Sequence, residues 1–92
     1  MQRREVHYSG HVQGVGFRYT TRSIARGYEV TGFVQNLEDG RVRVVAEGEA
    51  AELDRFFGEL EDRMAHYIRG TTRDTRPATG QYADFSVAPT GP

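Results

Sequence analysis

Between Gly10 and Arg18 the hydrophobic period of this sequence changes from that of a strand to that of a helix, and the change takes only nine residues. Upstream, Val6, Tyr8, Gly10 and Val12 alternate with Glu5, His7, Ser9 and His11, which predicts a half-buried strand over 5–12. Downstream, Phe17, Thr20, Thr21, Ile24 and Tyr28 recur at helical spacing. They predict a helix from about Phe17 to Arg26, with Gly27 as the left-handed residue that follows it. The chain must therefore reverse within Gly-His-Val-Gln-Gly-Val-Gly-Phe-Arg. Glycine has no Cβ, so it turns the backbone tightly and leaves N–H groups open to a ligand. At a helix N-terminus such groups favour an anion. Arg18 makes the point sharper: a cation in the first turn opposes the helix macrodipole by about 0.3–1 kcal/mol, and no acidic residue from Phe17 to Ile24 offsets it. A bound anion would offset it. Glycine spacing taken alone is equally compatible with a tight β-to-α connection that binds nothing.

The remaining pattern is orderly. A second strand is expected from about Glu29 to Asn36, then a Leu37-Glu38-Asp39-Gly40 turn, and a third strand from Arg41 to Glu47, forming a hairpin. Glu49 to Met64 is the clearest helix, because Leu53, Phe56, Phe57, Leu60 and Met64 make one apolar stripe. Its charges follow the dipole rule, with Glu49 and Glu52 at the start and Arg63 at the end. Ala65 to about Thr72 reads as a weak fourth strand, Arg73 to Gly80 as a loop, Tyr82 to Val87 as a short closing strand, and Ala88 to Pro92 as a tail. The order β-α-β-β-α-β is the split βαβ arrangement, with both helices on one face of an antiparallel sheet and the other face in water.

Composition narrows the classes of function. Ninety-two residues are expected to form one domain, 1–92. A formal net charge of −1 argues against a partner held by a broad positive field, such as duplex nucleic acid. With no cysteine there is no disulfide, thiolate chemistry or cysteine zinc site. No run approaches the ~20 apolar residues of a membrane span, and Met-Gln-Arg-Arg-Glu lacks the apolar core of a signal peptide. A cytoplasmic protein that contacts neither membrane nor nucleic acid is the expectation.

Known phosphate loops do not fit the glycine stretch. After Gly14 and Gly16 the third glycine of a dinucleotide fingerprint is replaced by Tyr19, and no Gly-Lys-Ser/Thr follows as in a P-loop. Neither a nucleotide nor its magnesium is implied. His7 and His11 would lie ~13 Å apart on a strand, too far to share a metal ion, and His66 has no evident partner. Glu38 and Asp39 are explained by their turn. In the row Arg18, Arg22, Arg26 each step climbs about 6 Å along the helix, so Arg18 alone stays near the loop. Asn36 is common before turns for local reasons. In the split βαβ order, however, the first and second strands are parallel with the third between them. The glycine loop leaves one C-terminal end, and Asn36 sits at the other.

These residues resemble the acylphosphatase family. Gly10-His11-Val12-Gln13-Gly14-Val15-Gly16-Phe17-Arg18 is similar to its first signature, and Gly32-Phe33-Val34-Gln35-Asn36, followed by Gly40, Val42 and Gly48, is similar to the second. The resemblance spans Arg4 to Val87 and includes Tyr82-Ala83-Asp84-Phe85. It implies an α/β (α+β) ferredoxin-like sandwich and hydrolysis of an acyl phosphate to carboxylate and phosphate. It also implies that Arg18 is the substrate-binding arginine and Asn36 the water-positioning asparagine. The departure lies in Gly70 to Arg76, where the family often has a regularly apolar strand.

Read with that resemblance, the phosphate-binding loop comprises the amides of Gln13, Gly14, Val15, Gly16, Phe17 and Arg18, with no metal and no cofactor. A small acyl phosphate and inorganic phosphate are the expected partners, and a monomer the expected state. Two other readings stay open. One is a catalytically weak phosphate- or carbamoyl-phosphate-binding module, as in larger carbamoyl-transfer maturation proteins, although this chain shows no further domain. The other is a ferredoxin-like RNA-binding domain, which would need exposed aromatics where the first strand reads Glu, His, Ser, His.

Overall fold

A computed structural model describes residues 1–92. Its elements in chain order are β1 (Gln2–Gly10), α1 (Phe17–Ala25), β2 (Thr31–Asn36), β3 (Val42–Gly48), α2 (Ala50–Arg63), β4 (Ile68–Pro77) and β5 (Phe85–Val87). They form a five-stranded sheet in the order β4-β1-β3-β2-β5. β1 and β2 flank β3, each antiparallel to it, which makes them parallel to one another as the split βαβ topology requires. β5 runs parallel to β2, so the sheet is mixed and not purely antiparallel. No helix is long and apolar enough to cross a membrane.

The core lies between the sheet and both helices. Val6 and Tyr8 from β1, Val42, Val44 and Ala46 from β3, and Leu53, Phe56, Phe57 and Leu60 from α2 are all buried in it. Phe56 sits at an aromatic junction, with ring centroids 4.9 Å from Phe57, 5.6 Å from Phe85 and 6.3 Å from Tyr28. Each such side chain contributes about 1.5–3 kcal/mol by leaving water. The alternation in β1 and the stripe in α2 therefore set which faces meet.

Three expectations need correction. Arg73 to Gly80 is not mainly a loop, because β4 continues to Pro77 and pairs with β1 down to Gln2↔Pro77. The strand is held by this backbone ladder at the sheet edge. It buries little, so it carries no apolar alternation that could be read. Gly27 is not left-handed: it is absent from the positive-φ residues, and α1 ends instead by tightening, with Gly27 N–H donating to Ile24 O and Tyr28 N–H to Ala25 O.

Nor does the second sheet face lie wholly in water. The connection between β4 and β5 folds back across it, and Tyr82 packs on Phe33 with centroids 5.8 Å apart. Glu47 fastens that connection by accepting from Thr79 N–H at 2.9 Å, Thr79 Oγ1 at 2.7 Å and Gly80 N–H at 2.9 Å. Burial alone would raise the Glu47 carboxyl, but these donors, with Arg3 nearby, hold it below its ordinary 4.5. A depressed folded-state pKa stabilises the fold above the unfolded value and is lost as pH falls through the folded one. Wild type should therefore lose more stability than Glu47→Gln when urea unfolding is compared at pH 5 and at pH 3.

Candidate active site

Two buried side chains pin the glycine loop at its ends. Val12 is fully buried and Phe17 is 2% exposed, its ring 5.3 Å from that of Tyr8. Between them the chain reverses through Gly14 at φ 78° and Gly16 at φ 79°. A Cβ at either glycine would meet no atom within 4 Å, so the left-handed backbone is what calls for glycine there, not crowding. Gly16 caps α1 without a side-chain hydrogen bond, and the first backbone bond of the helix runs from Thr20 N–H to Gly16 O. None of the amides from Gln13 to Tyr19 donates to a protein acceptor. A run of free donors thus lies at a helix N-terminus that has no acidic residue in its first turn.

Arg18 adds its charge to this end and enters no ion pair or side-chain hydrogen bond. Its guanidinium carbon lies 5.9 Å from the centroid of the exposed Tyr19 ring, with that of Arg22 at 5.6 Å. Arg18, Tyr19, Gly14 and Gly16 line a cleft of about 100 Å³ whose remaining wall is Val12, Phe17 and Asn36. The two residues singled out, one just beyond the C-terminal end of β1 and one at that of β2, therefore share one small cleft. Asn36 closes β2 opposite Val42 of β3 and is half-buried. Arg22 and Arg26 do not line the cleft.

Other candidates resolve as structural. Asp39 accepts from Arg41 N–H at 3.0 Å and from Arg41 Nε at 2.9 Å, which closes the hairpin turn and, led by the backbone bond, lowers its pKa. His7 lies 3.7 Å from Glu5, and burial lowers its pKa. No group of three His, Asp or Glu side chains is arranged to hold a metal. Of two larger surface clefts, the one of about 430 Å³ is lined by charged groups held in ion pairs, including Arg76–Asp74, and in the one of about 600 Å³ Arg55 pairs with Glu52.

One contribution was missed in the sequence. Beyond its backbone amide, Gln13 uses its side chain to bridge the loop to the β2–β3 hairpin, with Nε2 donating to Leu37 O at 2.8 Å and to Arg41 O at 3.0 Å. Leu37 adjoins Asn36, so Gln13 joins the two halves of the cleft. A glutamine within a glycine loop is the only signal the sequence carries, and it does not reveal the partner.

A strand, a glycine turn with free amides and an arginine-bearing helix start, on a split βαβ sheet, define a ferredoxin-like domain suited to holding a phosphoryl-sized anion. Comparison with known proteins is more specific. The acylphosphatase family model matches residues 4–87, and the chain belongs to that family. An acylphosphatase of Archaeoglobus fulgidus is 51% identical over 57 residues, covering 62% of this chain and 64% of the relative, so that match spans just under two thirds of the relative's length. An acylphosphatase of Thermotoga maritima is 45% identical over 95% of this chain and 97% of its own. The crystal structure of acylphosphatase from Bacillus subtilis superposes with a TM-score of 0.86 at 27% identity, covering 96% of this chain and 99% of that one.

Gln13→Ala removes both bridging bonds while Leu37 O keeps the Gly40 amide. At about 0.5–1.5 kcal/mol per net hydrogen bond, urea unfolding should show a loss of roughly 1–3 kcal/mol with an unchanged denaturant slope.

Proposed function

We propose that this chain hydrolyses the carboxyl–phosphate bond of a small acyl phosphate, releasing carboxylate and inorganic phosphate. The observation that carries the reading is the shared lining of one cleft by the Gly14 and Gly16 backbone, Arg18 and Asn36, in a member of the acylphosphatase family. Every group in that cleft comes from one chain, so a single domain of residues 1–92, acting as a monomer, suffices.

In this reading the amides from Gln13 to Arg18 and the Arg18 guanidinium hold the phosphoryl oxygens, the guanidinium by a bidentate grip. Asn36 holds a water in line with phosphorus. As the water oxygen bonds to phosphorus, the bond to the acyl oxygen breaks and its electron pair leaves with the carboxylate. The water's proton passes to the phosphate. A carboxylic acid has a pKa near about 4, so the leaving group needs no proton, in keeping with a cleft lined by no His, Asp or Glu. Phosphoryl transfer through a loose transition state asks mainly for position and charge, which amides and one arginine can supply. No covalent phosphoenzyme or metal enters the scheme.

Benzoyl phosphate hydrolysis tests it. Arg18→Ala should lower kcat/KM by roughly 10²–10³-fold and weaken inhibition by phosphate, and Arg18→Lys should keep part of this defect because an ammonium cannot reproduce the fork. Asn36→Ala should lower kcat by up to about 10²-fold with little change in KM or phosphate inhibition. Full activity in Asn36→Ala would remove its assigned role. EDTA should leave the rate unchanged, and inhibition that magnesium reverses would contradict the scheme.

A further inference from the structure

The last five residues, which have the polarity of a loose tail, are seated against the strand end that carries Asn36. After the parallel pairing of Val34 with Val87, Ala88 N–H donates to Val34 O at 2.9 Å. The ladder then breaks at Pro89, which has no N–H to give, and Gln35 Nε2 donates to Pro89 O at 3.0 Å across the gap. It resumes at Gly91. Gly91 N–H donates to Asn36 O at 3.0 Å, and Glu38 N–H donates to Gly91 O at 2.9 Å. Because Leu37 pairs with Gly91 while Val34 pairs with Val87, the tail spends one more residue than β2 over this span, and the extra residue is a bulge.

Gly91 is buried, whereas Pro89, Thr90 and Pro92 around it are exposed. Its lack of a side chain has a direct cause, since a Cβ there would run into the amide group of Gln35. Asn36 is thus held on both sides of its backbone, by Val42 of β3 on one edge and by Gly91 on the other. Without Gly91, the end of β2 would be an edge strand with free groups at the residue whose side chain must be aimed. The Gln13 bridge fixes the hairpin from the loop side, and the tail fixes it from the opposite edge.

We infer that the Ala88–Pro92 segment is a positioning clamp: Gly91 fixes the backbone at Asn36 and Glu38 so that the Asn36 side chain keeps its aim into the cleft. The inference rests on the role proposed above for Asn36. Gly91 acts through Asn36 and touches no substrate, so loosening it should change turnover and leave phosphate binding at the loop intact.

Gly91→Val puts bulk against Gln35 and lifts the segment while sparing the core, and Thr90→Ala changes an exposed neighbour as a control. In Gly91→Val, hydrogen exchange at the Glu38 amide should quicken, kcat for benzoyl phosphate should fall by roughly tenfold, and KM and phosphate inhibition should stay as in wild type. Thr90→Ala should match wild type throughout. The deciding comparison is the double variant: if Gly91 acts through Asn36, adding Gly91→Val to Asn36→Ala should lower kcat no further. Multiplicative losses would overturn the inference, as would faster exchange at Glu38 with unchanged kcat, or a parallel loss of kcat and phosphate inhibition. Should Gly91→Val not fold, removal of Thr90–Pro92, which takes away both Gly91 bonds without adding bulk, is put through the same comparison. Full activity in Asn36→Ala alone would instead indict the role of Asn36, which separates the two failures.

Discussion

The cleft depends on the burial of Val12 and Phe17 on either side of a short reversal. Both side chains are driven into the core, Phe17 against Tyr8, and the chain between them has too few residues to do anything but turn sharply. The left-handed backbone at Gly14 and Gly16 follows from that constraint. So does the exposure of the amides, because a turn this tight at a helix start leaves them no carbonyl within reach. Hydrophobic anchoring of about 2 kcal/mol per side chain thus outweighs the smaller cost of placing Arg18 at the positive end of α1, about 0.3–1 kcal/mol. The fold tolerates an electrostatic misfit that a phosphoryl group would relieve.

Much of this was legible in the sequence because it rests on local pattern. Alternation in β1, the stripe of α2 and the Asp-Gly turn each reflect neighbours along the chain, and they suffice to bring the glycine loop and Asn36 to the C-terminal ends of parallel strands. What stayed hidden depends on partners distant in sequence. β4 is held by the β1 backbone at an edge where side chains meet water, so beyond Thr72 its residues bear no trace of being a strand. β5 lies parallel to β2, and nothing in Phe85–Val87 states a direction. The covering of the outer face by Thr79 to Tyr82 rests on the acceptance of amides by Glu47, and a lone Glu in a strand looks merely solvated.

The same distinction holds within the site. The residues that would meet substrate belong to two compact motifs and can be found by spacing. Those that hold the motifs together, Gln13 through its side chain and Gly91 through its backbone, act across 24 or more residues of sequence and show no spacing rule. A small domain builds its cleft from two loops that barely touch. The long-range ties decide whether those loops keep their relation.

The central claim is that the free amides and Arg18 form one phosphate-holding unit. The most direct measurement is the thermal midpoint of wild type and Arg18→Ala with and without inorganic phosphate. A ligand that binds only the folded state stabilises it by about 1.4 kcal/mol at roughly ten times its Kd, which is several degrees for a domain of this size. Wild type should rise by that amount in phosphate, above the rise given by chloride at equal ionic strength, while Arg18→Ala should show little phosphate-specific rise. Equal shifts in the two proteins, or no phosphate-specific shift in wild type, would contradict the claim.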